Sequence, residues 1–375
     1  MYNIETVNAL TLAIMFPNKV AKLCQLYRRA GSATTIVDNA DSLRDIMPDF
    51  NPSAFGLDIQ ILQSCREKAM RELESISRYS GICLTPDMPE YPQRMLLDDC
   101  CDFPLALFFC GKANLNAEHI ISVVGTRHST PYGLDIVHNL IEDLSQAFPD
   151  LLVVSGLAYG TDINAHRAAM SHGLPTVALL AHGLDMIYPS AHRATAKQMT
   201  THGGLLTEYL IGSKPMRYSF LSRNRLIASV ADATIVVESK EHGGALTTAR
   251  CAASYNRPVF AFPGRVNDES STGCNNLIRK NEAELITSAR DIAESLNWTL
   301  KKRKPTPLPS LFDCELTGEE KAVYDLLSDE AAHISILAAK LPLPIHKIMQ
   351  ILSDLEFRNL AASLPGSRWR RPARK

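Results

Sequence analysis

Ile120-Ile121-Ser122-Val123-Val124-Gly125-Thr126-Arg127 is a short apolar run that ends on a glycine and an arginine. The pattern returns in Leu151-Leu152-Val153-Val154-Ser155-Gly156-Leu157-Ala158-Tyr159-Gly160-Thr161-Asp162, where a second run ends on a glycine-rich loop that opens a helix. A short aliphatic, β-branched run bounded by glycine reads as a strand buried on both faces. Further runs stand at 176–180, 204–207, 234–237 and 259–262, with helical periodicity between them at 133–147, 162–171, 193–200, 223–229 and 245–255. Alternation of this kind predicts a parallel sheet covered by helices on both sides. The expected fold class for residues 118–292 is therefore α/β, an extended Rossmann-like, doubly wound, mostly parallel sheet of about six strands.

Working outward, the N-terminal zone is helical. Val7, Leu10, Leu12 and Ile14, and later Ile59, Ile61 and Leu62, recur at helical spacing, and Pro48 and Asn51-Pro52-Ser53 interrupt them. A small helical N-terminal module, SAM/HhH-like, is expected over residues 1–80. Pro86, Pro89, Pro92 and Pro104 then lead into the apolar run 105–109, which suits a strand opening a core of residues 81–298. The polar stretch Lys301-Lys302-Arg303-Lys304-Pro305-Thr306-Pro307 marks a linker over 299–311. Beyond it, helical patterns at 319–327, 335–341 and 343–355 precede the alternating run 360–364, a Pro365-Gly366 turn and Arg368-Trp369-Arg370-Arg371. Three helices followed by a small hairpin predict a C-terminal winged helix over 312–375.

Bulk composition narrows the function classes. A chain of 375 residues exceeds one ordinary core, and 46% hydrophobic with 21% charged residues is a globular balance. Lys+Arg number 39 against 40 Asp+Glu, so any basic surface has to be local. The nine cysteines are scattered, with Cys100-Cys101 the one close pair and no Cys-x-x-Cys. Reduced thiols and no metal site are expected. No basic leader precedes the first apolar stretch, and no run reaches about 20 apolar residues. A cytoplasmic protein with no membrane partner is the expectation.

Ligands of doubly wound sheets bind at the carboxyl ends of the strands, so the loops after each run carry the chemistry. Gly125, Thr126 and Arg127 follow the first, with Tyr132-Gly133 opening a helix. Glycine lets backbone approach a ligand, helix-start N–H groups attract anions, and arginine grips phosphate with a planar fork. Ser155, Gly156 and Gly160 follow the second run, without the G-x-G step of a dinucleotide site or the lysine of a P-loop. His192, Arg193 and Lys197 follow Gly183-Leu184-Asp185 and Tyr188-Pro189. Arg217, Tyr218 and Phe220 lead into Arg223-Asn224-Arg225, cations interleaved with aromatics that can hold a backbone and stack on bases. Gly243-Gly244 begins another helix. Each feature has a structural alternative: a tight turn at 125–127, a helix cap at Asp162, a core role for His166, and salt bridges for the 217–225 arginines. No Ser/His/Asp order, His-rich metal set or carboxylate pair stands at these strand ends. The pattern predicts a site that holds an anion rather than transforming it, with no catalytic residue and no cofactor.

Together the motifs resemble the DNA-processing protein A (DprA/Smf) family. The likeness is carried by Val124-Gly125-Thr126-Arg127, Ser155-Gly156-Leu157-Ala158 with Gly160 and Asp162, Ala165-His166, and Gly183-Leu184-Asp185 with Tyr188-Pro189. It continues through Phe220 with Arg223-Asn224-Arg225, Gly243 with Thr248-Ala249, and Phe262-Pro263-Gly264 with Asn275 and Leu277-Ile278, and covers residues 84–292. The resemblance implies a non-enzymatic, homodimeric protein that binds and protects single-stranded DNA in natural transformation and loads RecA onto it. The family's basic pocket implies roles for Arg127 and Arg217. Its third basic position is Ser190 here, with Arg193 or Lys197 one turn later. Other departures are Thr161 for isoleucine, Gly244 for serine and Glu282 for glycine.

Two other classes stay open. Gly243-Gly244 and Thr247 echo the motif of a nucleoside-monophosphate phosphoribohydrolase, although Arg250 stands where its catalytic glutamate belongs. A nucleotide-binding transcription regulator would instead use the winged helix on duplex DNA, through Lys347, Arg358 and the terminal arginines.

Overall fold

The computed structural model describes residues 2–39, 59–299, 316, 318–328, 330–358 and 360–371. It divides into two compact units, Met1–Lys301 and Lys302–Lys375. The helix breaks expected at Pro48 and 51–53, and the linker stretch 301–307, lie outside the described residues.

The first unit opens with helices α1 (Ile4–Met15), α2 (Val20–Ala30), α3 (Ala33–Asp38) and α4 (Ile59–Arg78). A hairpin follows, β1 (Ile82–Leu84) and β2 (Leu107–Gly111). The alternating region then runs β3 (Ile120–Val124), α5 (Pro131–Ala147), β4 (Leu152–Ser155), α6 (Thr161–Ser171), β5 (Thr176–Leu179), α7 (Arg193–Met199) and β6 (Gly204–Thr207). It continues α8 (Arg217–Val230), β7 (Ala233–Val236), α9 (Gly244–Ser254), β8 (Val259–Ala261), α10 (Thr272–Arg279), β9 (Glu284–Leu285) and α11 (Ala289–Ser295). The strands form one sheet in the order β1-β2-β6-β5-β4-β3-β7-β8-β9. From β6 to β9 every pairing is parallel, and β2 runs antiparallel against β6.

This is the doubly wound architecture, and strand alternation shows how both faces are covered. Ile121 and Val123 pack with Val137, Leu140 and Ile141 of α5 and Ala165 of α6 on one side. Ile120 and Val124 point the other way, onto Leu226 and Ile227 of α8 and Leu246 of α9. The sheet has nine strands where about six were expected. β9 is two exposed residues with no apolar run to betray it, and the β1–β2 hairpin precedes the alternating region. One helix is also longer than expected. α8 begins at Arg217 rather than Arg223, which turns Arg217, Tyr218 and Phe220 from loop into its first turn.

The N-terminal helices share their core with the sheet. Val7 and Leu10 of α1 and Leu73 and Ile76 of α4 pack in one cluster with Phe108, Leu157 and Leu180. Tyr91, fully buried in the proline-rich lead-in, donates its hydroxyl to the Pro104 carbonyl at 2.7 Å. Arg94 makes a two-pronged ion pair with Asp232 at 2.6 and 3.0 Å, and the same carboxylate accepts from the Ile120 N–H at the head of β3.

The second unit contains α12 (Gly318–Leu326), β10 (Ala332–His333), α13 (Ile334–Ala339), α14 (Ile345–Phe357), β11 (Ala362–Leu364) and β12 (Arg368–Arg370). Its strands form a sheet in the order β10-β12-β11, with Gly366 at φ +85° in the hairpin turn. Val323, Leu337, Ile348, Leu352 and Trp369 close a separate core, the packing of a winged helix. Among the described residues the cysteines are free, and no helix is long and apolar enough to cross a membrane.

Phe108 is fully buried between the N-terminal helices and the sheet. Phe108→Ala should cost about 3–5 kcal/mol of unfolding free energy in urea. Because the cluster spans both parts, the N-terminal helices and the sheet should still unfold in a single transition. A separate early transition of the helices would contradict the shared core.

Candidate functional site

The strand order places a topological switch between β3 and β7. From β3 the chain winds through β4, β5 and β6 to one side, and β7 returns to pair on the other. The connections leaving β3 and β7 therefore diverge and open a crevice at the strand ends. A cavity of about 600 Å3 lies there, between the loop after β3, the loop after β7 and one face of α8.

Two glycines bring the loops after β3 and β4 into contact. A Cβ on Gly125 would collide with the Thr161 hydroxyl, and one on Gly160 with the Thr126 carbonyl. Gly160 also has φ +73°, a backbone shape that disfavours other residues. The contact they allow is closed by Thr161 N–H donating to Thr126 O at 3.1 Å and by the Ser129 and Thr161 hydroxyls at 3.1 Å. From the far side, buried Glu238 at the end of β7 accepts from the Thr130 N–H at 2.9 Å and its hydroxyl at 2.6 Å. Thr130 in turn caps α5 by accepting from Gly133 N–H. The segment that presents Arg127 is thus clamped at both ends.

Arg223 anchors the other wall. It is 4% exposed, and its guanidinium donates to the carbonyls of Gly156 and Leu179, tying α8 to the loop after β4 and to the last residue of β5. Burial pulls its pKa down to about 10, with the nearby Asp162 opposing the shift. Asp162 accepts from the N–H groups of Gly156 at 3.2 Å and Ala158 at 3.3 Å. Burial pushes this carboxyl above its usual range, while Arg223 and those N–H groups pull it back. Asp162 thus shapes the loop that starts α6, a larger role than a helix cap.

The structure gathers part of the expected residue set. Gly125, Thr126, Arg127, Phe220, Arg223, Asn224, Gly243 and Gly244 line the cavity. Phe220, Arg223, Asn224 and Ile227 do so because three- and four-residue spacing puts them on one face of α8. Arg127 is exposed, and its guanidinium stands over the Phe220 ring, 5.6 Å from the centroid. Tyr188 flanks the same ring at 5.7 Å. Asn224 reaches Gly244 O at 3.4 Å, joining α8 to the start of α9. Gly243 caps α9 with no side-chain hydrogen bond, so that helix presents its N-terminal backbone to the cavity.

Other expected residues lie elsewhere. Arg225 faces inward, ion-paired with Glu208 and donating to Asp102 O at 2.6 Å, which is the salt-bridge alternative for that position. Ser155 is fully buried, donating to Val123 O at 2.6 Å. Gly156 and Gly160 act through the loop contacts just described. Arg217 is exposed on the first turn of α8, beyond the cavity lining. Arg193, Lys197 and Ser190 are exposed and do not line it, nor do Arg250 and Glu282. The sequence reading missed the clamp made by Glu238 and Thr130, and also Lys240, His242 and Glu269 on the cavity wall. A strand ending in a glutamate that is followed by Ser-Lys was the available signal. Lys240 and Glu269 pair at 2.9 Å in the open.

His166 has the core role that its position on α6 allowed. It is fully buried, with Nδ1 against the Thr176 hydroxyl at 2.6 Å. Burial lowers its pKa to about 3, aided by the charge of Arg223, and burial lowers that of His182 as well. Such a ring takes up its proton in the unfolded chain near pH 6.5 and in the folded one only near 3. Its contribution to stability is therefore present above pH 6.5 and is lost as pH falls toward 3. His166→Asn keeps an amide to meet Thr176. It should remove about 2 kcal/mol of the stability lost between pH 6.5 and 5, read by urea unfolding across that range. An identical pH slope in the variant would show that His166 is not the group responsible.

Comparison with known proteins agrees with this geometry. Residues 82–297 match the family model described as DNA recombination-mediator protein A, and residues 304–367 match the DprA winged helix domain. A DNA processing protein DprA from Mycobacterium tuberculosis is 38% identical over 316 residues, covering 81% of this chain and 80% of the relative. The X-ray structure of DprA from Streptococcus pneumoniae superposes with a TM-score of 0.64 at 28% identity, covering 78% of this chain and 98% of that one. A DNA processing protein A from Helicobacter pylori, whose structure is described for its single-stranded DNA binding mode, superposes at 0.51 with 29% identity. It covers 58% of this chain and 97% of its own. With the doubly wound sheet, the loop set at its switch point and the C-terminal winged helix all in place, the chain belongs to the DNA recombination-mediator protein A family.

Proposed function

We propose that this protein binds single-stranded DNA at the switch-point cavity, holding the sugar-phosphate backbone without cleaving it. The observation that carries the reading is the exposed Arg127 guanidinium held over the Phe220 ring at the rim, beside the uncapped start of α9. A fixed arginine and open helix N–H groups suit phosphates, while exposed rings suit unstacked bases. Tyr188, beside Phe220, is 48% exposed, and Tyr218 in the first turn of α8 is 67% exposed. Arg217 lies three residues before Phe220 on α8 and extends the cationic track from the cavity to the helix start. The related Helicobacter pylori protein, described as binding single-stranded DNA, supports the choice of polymer.

A holding role also fits the carboxylates at the strand ends. Glu238 is engaged by Thr130, and Asp162 by the loop backbone. By family resemblance the protein acts in the cytoplasm as a homodimer, protects incoming single strands in natural transformation and loads RecA onto them. Gly125, Thr126, Arg127, Arg217, Phe220, Asn224, Gly243 and Gly244 are the proposed contact residues. Arg223, Gly156 and Gly160 shape the cavity around them.

The test is a salt-titrated comparison of oligo-dT with duplex of the same length. Single strands should bind more tightly, with log affinity falling by about 0.7 per phosphate contact for each log unit of salt. Arg127→Ala with Arg217→Ala should cut affinity about tenfold or more and lower the slope by about 1.4, two contacts' worth. Phe220→Ala should weaken binding while leaving the slope unchanged, since a stacked ring releases no counterion. Undiminished binding by the double arginine variant would remove the cavity as the DNA site.

A further inference from the structure

Helices α5 and α6 lie side by side over one face of the sheet, and their outer surfaces bring three ligand-bearing side chains to one point. His138 and Glu142 stand one turn apart on α5, and His172 is the residue that ends α6. One ligand atom from each lies within 4.8 Å of the others, and among the described residues this is the group of this kind that the fold assembles. His138 Nδ1 is 3.9 Å from Glu142 Oε2, and the two imidazole rings are 5.2 Å apart, near perpendicular.

The second observation is at His172. Its Nε2 is shut off from solvent and has no hydrogen-bond partner, although the ring sits against a carboxylate and another imidazole. A buried ring nitrogen without a partner is unfavourable unless something else meets it. The backbone at His172 is fixed, because its main-chain N–H closes α6 by donating to Ala168 O at 3.1 Å and Ala169 O at 3.2 Å. Glu142 is mostly covered, at 16% side-chain exposure, and His138 is open at 56%. With two of the three groups largely covered and His138 open, the set can close on an ion by rotating His138, with water filling the outward positions.

We propose that His138, Glu142 and His172 bind a first-row divalent cation of the zinc class. Two imidazoles and one carboxylate match the ligand preference of Zn2+ and disfavour Mg2+ or Ca2+, which take oxygen donors. Bonds of about 2.0–2.1 Å to such an ion would draw the three groups together. The ion would staple α5 to α6. Those helices begin at the two loops that Gly125 and Gly160 bring into contact, and the staple joins the middle of α5 to the end of α6.

Titration of the full chain with Zn2+ tests this directly, by calorimetry for stoichiometry and by thermal unfolding for linkage. One equivalent should bind, and saturating Zn2+ should raise the Tm by several degrees. His138→Ala and Glu142→Ala should each weaken that binding at least tenfold and abolish the Tm increase. Because His138 is exposed, its variant should match the parent Tm without metal, which a merely structural role would not produce together with lost Zn2+ response. Co2+ in place of Zn2+ should give ligand-field bands without the thiolate charge-transfer band that cysteine ligation would add. Zn2+ affinity unchanged in both variants, or a thiolate band lost on blocking the cysteines, would overturn the assignment.

Discussion

A guanidinium held away from water shapes this protein's central region. Arg223 can remain charged in its buried position because Asp162 lies close and because two carbonyls, of Gly156 and Leu179, accept from it. Those carbonyls belong to the loop after β4 and to the last residue of β5, so one side chain registers α8 against two successive strand ends. Asp162 then accepts from the N–H groups of Gly156 and Ala158, which gives the same loop its turn. Removing either partner of such a pair leaves an uncompensated buried charge, so the two residues constrain each other. With α8 seated in this way, the face bearing Phe220, Asn224 and Ile227 lines the cavity.

The switch point explains why the cavity lies where it does, and the loop chemistry explains what it favours. Diverging connections after β3 and β7 leave a crevice in any doubly wound sheet. Here the crevice meets an arginine over an aromatic ring and the start of α9, with the Glu238 and Asp162 carboxylates engaged by neighbouring loops. A chain of nearly balanced charge can bind a polyanion in this way, because its cations need only be local. The exposed arginine is held steady by backbone. Thr161 clamps one end of its loop and Glu238 the other.

The N-terminal helices complete the sheet rather than standing beside it. Val7, Leu10 and Leu73 bury into the cluster around Phe108, and the antiparallel β2 shields the edge that β6 would otherwise expose. An uncovered edge of parallel sheet is open to pairing with another chain, so this hairpin and its helices have a protective as well as a packing role.

The α/β class, the parallel sheet, the winged helix and the family were legible in the sequence, because apolar runs and the glycines after them are local signals with a fixed period. So was Arg127 as a residue at a strand end, whereas Phe220 read as the lead-in to a helix that in fact begins before it, at Arg217. Arg217, Arg223 and Arg225 looked alike in sequence, and the helical turn separated them: Arg217 faces outward, Arg223 is buried against the cavity and Arg225 pairs with Glu208. No composition or spacing rule distinguishes these fates, since burial depends on which elements cross behind α8. Glu238 clamping Thr130, and His172 meeting His138 and Glu142, join residues far apart along the chain. The sequence by itself determined the elements and their order. Tertiary packing alone decided which charges were left facing solvent, because only neighbours brought from distant segments can neutralise or bury them.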